Sequence, residues 1–322
     1  MKSTIIIPNY NGKDYLKNCL DSLMQCEPFD FKVIVVDNGS TDGSVELLRE
    51  QYSWVEAILL PENKGFAEAV NIGLEKTKTK YGILLNNDTT VATDFVAKLE
   101  EAIDEKEKIF SVSAKMVSMH EPEVLDGAGD LYCALGWAFA LGKGKVVSKA
   151  YTKPSKIFSA CGGAVIYRMS CMNEIGMFDS NHFAYLEDVD LGYRGLIHGY
   201  ENRYTPDAVC YHAGSGFSGS RYNEFKVTLS SKNSTYLIIK NMPILQQVLN
   251  LPFFMVGFLV KYLFFIKKGF GSTYLKGLIK GIIFGYSKEG RARKVRFRIK
   301  NVGNYVKIQG YLWWNILRRF VG

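Results

Sequence analysis

Residues 4–11 read Thr-Ile-Ile-Ile-Pro-Asn-Tyr-Asn, an apolar run that ends at a proline and continues into a polar turn. Such a run predicts a short buried strand. Residues 15–24 follow with apolar side chains at helical spacing, which predicts a helix with one buried face. A strand followed by such a helix is the first unit of an α/β arrangement.

The same alternation continues to residue 88. Apolar runs at 32–36, 57–60 and 82–85 predict three more strands, and the segments between them have helical spacing. Strands that alternate with helices predict a mostly parallel sheet with helices on its faces. Because such sheets bind ligands outside the carboxyl ends of their strands, the residues that follow each strand are the candidate binding residues.

Polar side chains follow each of the four predicted strands, as the pairs Asn9 and Asn11, Asp37 and Asn38, Asn63 and Lys64, and Asn86 and Asp88. Neither a GxGxxG after the first strand nor a GxxxxGKS/T occurs, which excludes a dinucleotide fingerprint and a P-loop. Asp37 can accept a hydrogen bond from a base or a ribose, and Lys64 can meet a phosphate. Asp88 is a hard oxygen donor suited to an ion that bridges two phosphates.

A second acidic segment lies at residues 183–194, where Glu187, Asp188 and Asp190 stand among aromatic and aliphatic side chains. A positioned carboxylate with a raised proton affinity is what a general base needs. The alternative is an acidic first turn of a helix that complements the helix dipole. Asp190 and Arg194 have the i to i+4 spacing of a helical ion pair, so we assign both to structure.

Five motifs therefore occur in order, at 5–11, 35–42, 63–73, 84–88 and 187–190. Together they resemble the family 2 glycosyltransferases of the GT-A fold, particularly the bacterial rhamnosyltransferase-like branch, over about residues 1–240. That family moves a sugar from a nucleotide diphosphate donor to a hydroxyl and inverts the anomeric carbon. The resemblance implies an α/β fold with a mostly parallel central sheet flanked by helices, and an inverting glycosyltransferase activity.

The resemblance also implies roles for individual residues. The nucleotide-sugar pocket would be lined by Pro8, Tyr10, Asn11, Asp37, Lys64, Asn87, Gly162 and Gly163. Asp188 would be the base that takes the acceptor proton, and Glu187 would orient it or bind the acceptor. The glycines belong to a segment of small residues, 159–164, for which close packing is an equal explanation.

A divalent ion, Mn²⁺ or Mg²⁺, is the cofactor that the resemblance implies. Asp88 would be the last residue of its Asp-x-Asp motif, in which Asn86 replaces the first aspartate with a weaker, neutral ligand. Related transferases place a metal-binding histidine after the acidic motif at a position comparable to His212. The alternative is a half-buried histidine that bonds the backbone. The other three histidines, His120, His182 and His198, are assigned to structure.

Charge divides the chain into two parts. Residues 240–322 contain ten Lys, six Arg and one acid, a net charge of +15, whereas residues 1–239 carry −7. The basic part is also apolar: residues 251–266 hold a single charge, Lys261. Basic residues interleaved with large apolar ones predict helices that lie in the interface of an anionic membrane. A spanning or re-entrant helix and an apolar oligomer interface are the alternatives, and the hydrophobicity argues against nucleic acid.

These patterns predict a catalytic domain at 1–240, with a nucleotide-binding part at about 1–100 and an acceptor part at about 101–240, and a helical, amphipathic membrane-associating region at 241–322. The N-terminus runs directly into the first strand without a secretory signal. The six cysteines lack CxxC spacing and indicate reduced core thiols. We therefore expect a peripheral protein at the cytoplasmic face of the cell membrane.

The leading hypothesis for function is transfer of rhamnose from dTDP-rhamnose to a lipid-linked glycan acceptor in the synthesis of a cell-surface polysaccharide. A UDP-hexose or UDP-N-acetylhexosamine transferase is the first alternative. A catalytically silent, membrane-bound assembly subunit is the second, and Asn86 is its only support. The Gln-x-x-Arg-Trp motif of processive synthases is absent from the sequence, which favours the addition of one or a few sugars.

Overall fold

The computed structural model describes residues 1–147, 151–214 and 222–321. The strands are β1 Ser3–Asn9, β2 Phe31–Asp37, β3 Glu56–Leu59, β4 Tyr81–Leu85, β5 Thr89–Val91, β6 Ile109–Ser118, β7 Leu125–Gly127, β8 Asp130–Cys133, β9 Trp137–Ala140, β10 Ser155–Ile157, β11 Ala164–Arg168 and β12 Glu201–His212. The helices are α1 Lys13–Met24, α2 Ser44–Gln51, α3 Phe66–Lys76, α4 Phe95–Asp104, α5 Met169–Ile175, α6 Glu187–Ile197, α7 Glu224–Asn241, α8 Ile244–Lys267, α9 Gly271–Tyr286, α10 Lys288–Ala292 and α11 Val302–Val321.

The central sheet has the order β10-β12-β6-β11-β4-β1-β2-β3. The half formed by β4, β1, β2 and β3 is parallel. In it, β1 lies between β2 and β4 with all three strands in the same direction, and β3 is parallel to β2. The second half is mixed: β11 is antiparallel to β4 and β6, while β12 is parallel to β6. The expected α/β class is confirmed, but the sheet is mixed rather than mostly parallel, because its second half contains antiparallel pairs.

Strands β1, β2 and β4 are largely buried on both faces, which explains why their apolar runs show little alternation with polar residues, whereas the edge strand β3 is exposed. On β1, Ile6 faces one hydrophobic cluster, and Ile5 and Ile7 face the other. All three side chains are fully buried. With both faces covered, the carboxyl ends of these strands are the part of the sheet that can meet a ligand.

The helix α8 begins earlier than the apolar run at 251–266 predicts. It starts at Ile244 and continues through Pro252 to Lys267, because the polar side chains of Gln246 and Asn250 are buried against the rest of the protein. By length and composition, it is the one helix among the described residues that could cross a membrane. The predicted segment was therefore too short.

The helices after residue 240 contact the preceding part of the chain at several points. The Tyr193 hydroxyl donates to Gln246 Oε1 at 2.6 Å, and Trp137 Nε1 donates to the carbonyl of Gly257 at 3.0 Å. Asn315 Nδ2 of α11 donates to the carbonyl of Tyr132 at 2.9 Å. The boundary predicted at residue 240 stays a prediction, and polar contacts of this kind cross it.

Helices α7 and α9 pack closely through small residues of α9. A Cβ on Gly277 would overlap Ser231 of α7, and one on Gly281 would overlap the backbone of Lys232. The opposite side of α9 is exposed and carries Lys276 and Lys280, as the sequence predicts. One side of this helix is therefore fixed to the protein, and the other is free for a partner.

Candidate active site

The carboxyl ends of β1, β2 and β4 form one edge of the sheet, called the strand-end edge below. Asp37 is held there in a fixed orientation. Asp37 ends β2 directly beside Asn9 of β1, and Asn9 Nδ2 donates to its Oδ2 at 2.8 Å. The backbone N–H of Ser40 donates to Asp37 Oδ1 at 2.9 Å. Asn87 joins the same network, since its Nδ2 donates to Asn9 Oδ1 at 2.7 Å. Asp37 and Asn87, both predicted for the nucleotide pocket, are thus brought together through Asn9.

The other predicted pocket residues lie on the adjoining loops. Asn11 has a positive φ of 48° and ties two strand ends together, because its N–H donates to Ser40 Oγ and its Oδ1 accepts from the N–H of Thr41, both at 2.8 Å. Pro8 and Tyr10 are half-buried next to it. The backbone of Lys64 is fixed by Asn38 Oδ1 at 2.8 Å, and its side chain is exposed. Their contact with a nucleotide stays a prediction.

Strand pairing brings Asp88 and His212 together. His212 at the end of β12 pairs with Thr89 of β5, the residue after Asp88. His212 Nε2 lies 3.3 Å from Asp88 Oδ1, and His212 Nδ1 lies 2.7 Å from Asp126 Oδ2. Burial lowers the pKa of His212, but its hydrogen bonds to Asp126 and Asp88 outweigh burial and raise that pKa to about 9.

The pair Asp88 and His212 fits a divalent ion. Two ligands at right angles around an octahedral ion stand about 3 Å apart, close to the 3.3 Å between Asp88 Oδ1 and His212 Nε2. Carboxylate oxygen and imidazole nitrogen also suit Mn²⁺. Asn86 makes no such contact with either residue: its side chain lies beside Gly163, and its carbonyl accepts from Thr89 Oγ1 at 2.6 Å. Its role as a ligand stays a prediction.

The turn before α6 is unusual. Phe183, Tyr185 and Leu186 all have positive φ, between 62° and 71°, which costs free energy for residues other than glycine. Asn233 of α7 stabilises the turn, because its Nδ2 donates to the carbonyls of His182, Ala184 and Tyr185 at 2.8–2.9 Å. Asn233 is fully buried. This positioning residue was missed in the sequence, since nothing local marks it.

That turn presents Asp188 to the small-residue segment. Asp188 Oδ2 accepts from the N–H of Gly162 at 3.3 Å, and its Oδ1 accepts from the N–H of Val189 at 2.7 Å. Burial raises the pKa of Asp188 despite these hydrogen bonds. Glu187 is buried beside it, and burial followed by the charge of Asp188 raises the pKa of Glu187 to about 8. Asp188 therefore has the raised proton affinity that a general base needs.

Two further groups face Asp188. Ligand atoms of Asp130, Cys161 and Asp188 all lie within 4.8 Å of one another. Burial and the charge of Asp188 raise the pKa of Asp130 well above its usual range. These groups could hold a cation, but an ion there would occupy the base, so Asp88 and His212 are the better metal pair. Asp126 and Asp130 lie at the two ends of the segment 126–130, which links β7 to β8, and its two acids and two glycines were the signal that was missed.

The two predicted glycines differ. Gly162 supplies the N–H that Asp188 accepts, and a Cβ there would only touch the Phe66 ring at 3.4 Å. A Cβ on Gly163 would lie 2.9 Å from Met116 Cε, so close packing explains that glycine. A role for either glycine beside the donor sugar stays a prediction.

Comparison with known proteins places the chain in a family. The sequence model described as Glycosyl transferase family 2 matches residues 4–176, more than half of the chain. The chain is 40% identical over 96 residues to the teichoic acid poly(glycerol phosphate) polymerase of Staphylococcus epidermidis, covering 29% of this chain and 13% of that protein. It is 22% identical over 211 residues to the poly-beta-1,6-N-acetyl-D-glucosamine synthase of Staphylococcus aureus, covering 65% of this chain and 49% of that protein. The chain thus spans half or less of the length of these relatives.

Among solved structures, GalNAc-T7 with UDP, GalNAc and Mn²⁺ superposes with a TM-score of 0.60 at 17% identity, covering 74% of this chain and 48% of that one. This likeness shows the fold, which is the GT-A fold that the sequence motifs implied. None of the three proteins is named as a rhamnosyltransferase, so the rhamnosyltransferase-like branch is not shown. The extent of the family match is sufficient for the broader assignment: the chain belongs to glycosyl transferase family 2.

Proposed function

We propose that the protein transfers a sugar, with inversion, from a nucleotide diphosphate donor to a lipid-linked glycan acceptor during synthesis of a cell-surface polymer. The observation that carries this proposal is the meeting of Asp88 Oδ1 and His212 Nε2, 3.3 Å apart, at the strand-end edge that also holds Asp37. A carboxylate and an imidazole at this edge suit the metal diphosphate of a sugar donor.

In the proposed mechanism Asp188 accepts the proton of the acceptor hydroxyl. The N–H groups of Gly162 and Val189 hold its carboxylate in place, and burial gives it a raised pKa. Glu187, with a pKa of about 8, keeps a proton at neutral pH and so leaves the negative charge to Asp188. Mn²⁺ or Mg²⁺, held by Asp88 and His212, would neutralise charge on the departing nucleotide diphosphate.

For the donor, we favour a UDP-N-acetylhexosamine or UDP-hexose over dTDP-rhamnose. One relative is named as a synthase of an N-acetylglucosamine polymer, and a structural neighbour was solved with UDP and GalNAc. No relative reported above carries a rhamnosyl name. Asp37 does not decide the base, because uracil and thymine present the same hydrogen-bonding edge to a carboxylate.

For the acceptor, the helices after residue 240 support a membrane-bound substrate. Their exposed side chains include Leu245 and Phe320, which are 80% and 71% exposed. The buried side of α8 is fixed to the catalytic part at Gln246 and at Gly257. A helix that is attached in this way cannot cross a bilayer without taking the catalytic part with it. We therefore propose that these helices lie on the cytoplasmic face of the membrane.

A thermal-shift panel on the full chain tests the donor. UDP-GlcNAc, UDP-GalNAc, UDP-glucose and dTDP-rhamnose are compared, each with Mn²⁺, with Mg²⁺ and with EDTA. A ligand at 100 times its Kd adds about 2.7 kcal/mol of stability, which raises Tm by about 4 °C for a chain of 322 residues. We expect a UDP-sugar with Mn²⁺ to give the largest shift.

The panel separates the alternatives. A shift with dTDP-rhamnose alone would restore the rhamnosyl hypothesis, and no shift with any nucleotide sugar would overturn the proposed function. Slow release of UDP from the stabilising donor distinguishes an enzyme from a silent assembly subunit. Asp37→Asn serves as the matched control, since it should weaken donor binding in EDTA and in Mn²⁺ alike.

A further inference from the structure

Asp126 lies outside the five motifs, yet it contacts the candidate metal site. Its Oδ2 lies 2.7 Å from His212 Nδ1, while the other ring nitrogen of His212, Nε2, faces Asp88. Its Oδ1 accepts from Lys143 Nζ at 2.6 Å. The side chain of Asp126 is 17% exposed and that of Lys143 is 61% exposed, so the histidine contact is the more sheltered of the two.

The backbone explains how Asp126 reaches His212. Strand β7 pairs with β6 through Met116 with Gly127 and Val117 with Leu125, and a register shift falls between these two pairs. Asp126 is the extra residue of this bulge, and a bulge re-aims the side chain that it carries. On the other side of β6, His212 pairs with Ser118. The two residues therefore meet across the end of β6.

We propose that Asp126 is a positioning residue that holds His212 with Nε2 directed at the divalent ion of the donor site. A carboxylate at Nδ1 fixes the ring orientation and keeps the Nδ1 proton between the two residues, so Nε2 is the nitrogen that gives up its proton to bind metal. This inference rests on the metal site of the proposed function. It adds a residue that neither the motifs nor the family match assigns.

The competing explanation is a structural ion pair between Asp126 and Lys143. An exposed ion pair of this kind contributes little to stability. The chain offers a matched control for it: Lys143→Met removes the ion pair and leaves the hydrogen bond to His212 in place.

The test measures Mn²⁺ affinity of the full-length chain without substrate, by the EPR signal of free Mn²⁺. Loss of a carboxylate that orients a histidine ligand costs about 10–100-fold in metal affinity. We expect a loss of that size for Asp126→Ala, a smaller one for Asp126→Asn, whose amide oxygen still accepts a hydrogen bond, and none for Lys143→Met. UDP affinity in EDTA should be equal in all four proteins, a result that shows the nucleotide pocket is intact.

The outcomes separate this inference from the proposed function. If His212→Ala weakens Mn²⁺ binding and Asp126→Ala does not, the positioning role is wrong and the metal site stands. If neither variant changes Mn²⁺ affinity, the metal site itself is wrong. If Asp126→Ala does not fold, Asp126→Asn decides: an affinity equal to that of the unaltered chain overturns the inference.

Discussion

The two sides of the first turn of α6 place the same chemical group in opposite surroundings. Asp190 faces α7 and is fully buried among cations, since Arg194 Nε lies 3.0 Å and Lys240 Nζ lies 2.8 Å from its Oδ2. Asp188 faces the sheet edge, where its carboxylate accepts from the N–H groups of Gly162 and Val189. One carboxylate is therefore neutralised by two cations, and the other is held by backbone N–H groups.

The pKa values express this difference. Burial acts to raise the pKa of both residues, but Lys240 and Arg194 reverse it at Asp190 and hold that pKa far below its usual range. At Asp188 the hydrogen bonds do not reverse it, and the pKa stays raised. Asp188 and Asp190 are two residues apart in one motif. We infer that Asp190 serves structure because cations lie beside it, and that Asp188 is the one available for chemistry.

The largest expected effect tests the structural side. Lys240 is buried and bridges Asp179 Oδ2 at 2.7 Å and Asp190 Oδ2 at 2.8 Å. Lys240→Met would leave two buried carboxylates with less compensation, and breaking a buried pair in this way costs about 3–5 kcal/mol. We expect a large fall in Tm. Exposed Lys98, paired with Glu101, supplies the control, since Lys98→Met should leave Tm nearly unchanged. Equal Tm values for the two variants would show that Lys240 does not stabilise the buried charge of Asp190.

The chemical side is tested by Asp188→Asn. The amide fills the same space but cannot accept a proton, so turnover should fall by at least about 10²-fold, the usual scale for a positioned base. Donor binding and Tm should stay close to those of the unaltered chain. The measurement is sugar transfer beside UDP affinity on the same preparation. Near-normal turnover would show that Asp188 is not the base, and Asp130 would then be the next carboxylate to replace.

The same contrast explains what the sequence could predict. The strand ends and the Asp190 to Arg194 pair follow from apolar runs and short spacings, and the structure confirms that pair. Asp126, Asn233 and Lys240 escaped prediction because their partners are distant in the chain. The start of α8 escaped it because Gln246 and Asn250 are polar residues that become buried only through tertiary contacts. Local sequence patterns therefore predict where the strands end and the site lies. The residues that position its side chains become visible only through long-range packing.

A smaller effect is expected on the exposed side of the helices after residue 240. Ile279 and Ile283 of α9 are 48% and 66% exposed, and both lie on the same side as Lys276 and Lys280. The double change Ile279→Glu with Ile283→Glu should weaken binding to anionic liposomes by about tenfold or more, because burying such a side chain in the acyl boundary gains about 1.5–3 kcal/mol. Tm and UDP release should be unchanged, since neither residue contacts α6.

Liposome flotation at low and high salt measures this binding. Met24→Glu, on an exposed residue of α1, is the control and should float like the unaltered chain. A chain that does not float with anionic liposomes at low salt contradicts the membrane proposal. If the double variant instead changes the oligomeric state in solution, an apolar oligomer interface becomes the better account of this surface.

The smallest expected effect concerns Glu187, which begins α6 next to Asp188. Its Oε2 is buried and has no hydrogen-bond partner among the described residues. Burial raises its pKa from an ordinary value of 4.5 to about 8. Because the folded state holds this proton more tightly than the unfolded chain, the associated stability is fully present below about pH 4.5 and is lost as pH rises through 8.

Glu187→Gln fixes the uncharged form and removes this loss. The Tm of the variant relative to that of the unaltered chain should therefore rise between pH 5 and pH 9, with a slope of at most about 1.4 kcal/mol of unfolding free energy per pH unit. Turnover should fall less than in Asp188→Asn, because the amide still occupies the site beside the base. Thermal unfolding of both proteins at pH 5, 7 and 9 measures the difference. A difference in Tm that is constant across this range would mean that Glu187 is ionised in the folded protein, and the negative charge next to α6 would then be shared between Glu187 and Asp188 rather than left to the base alone.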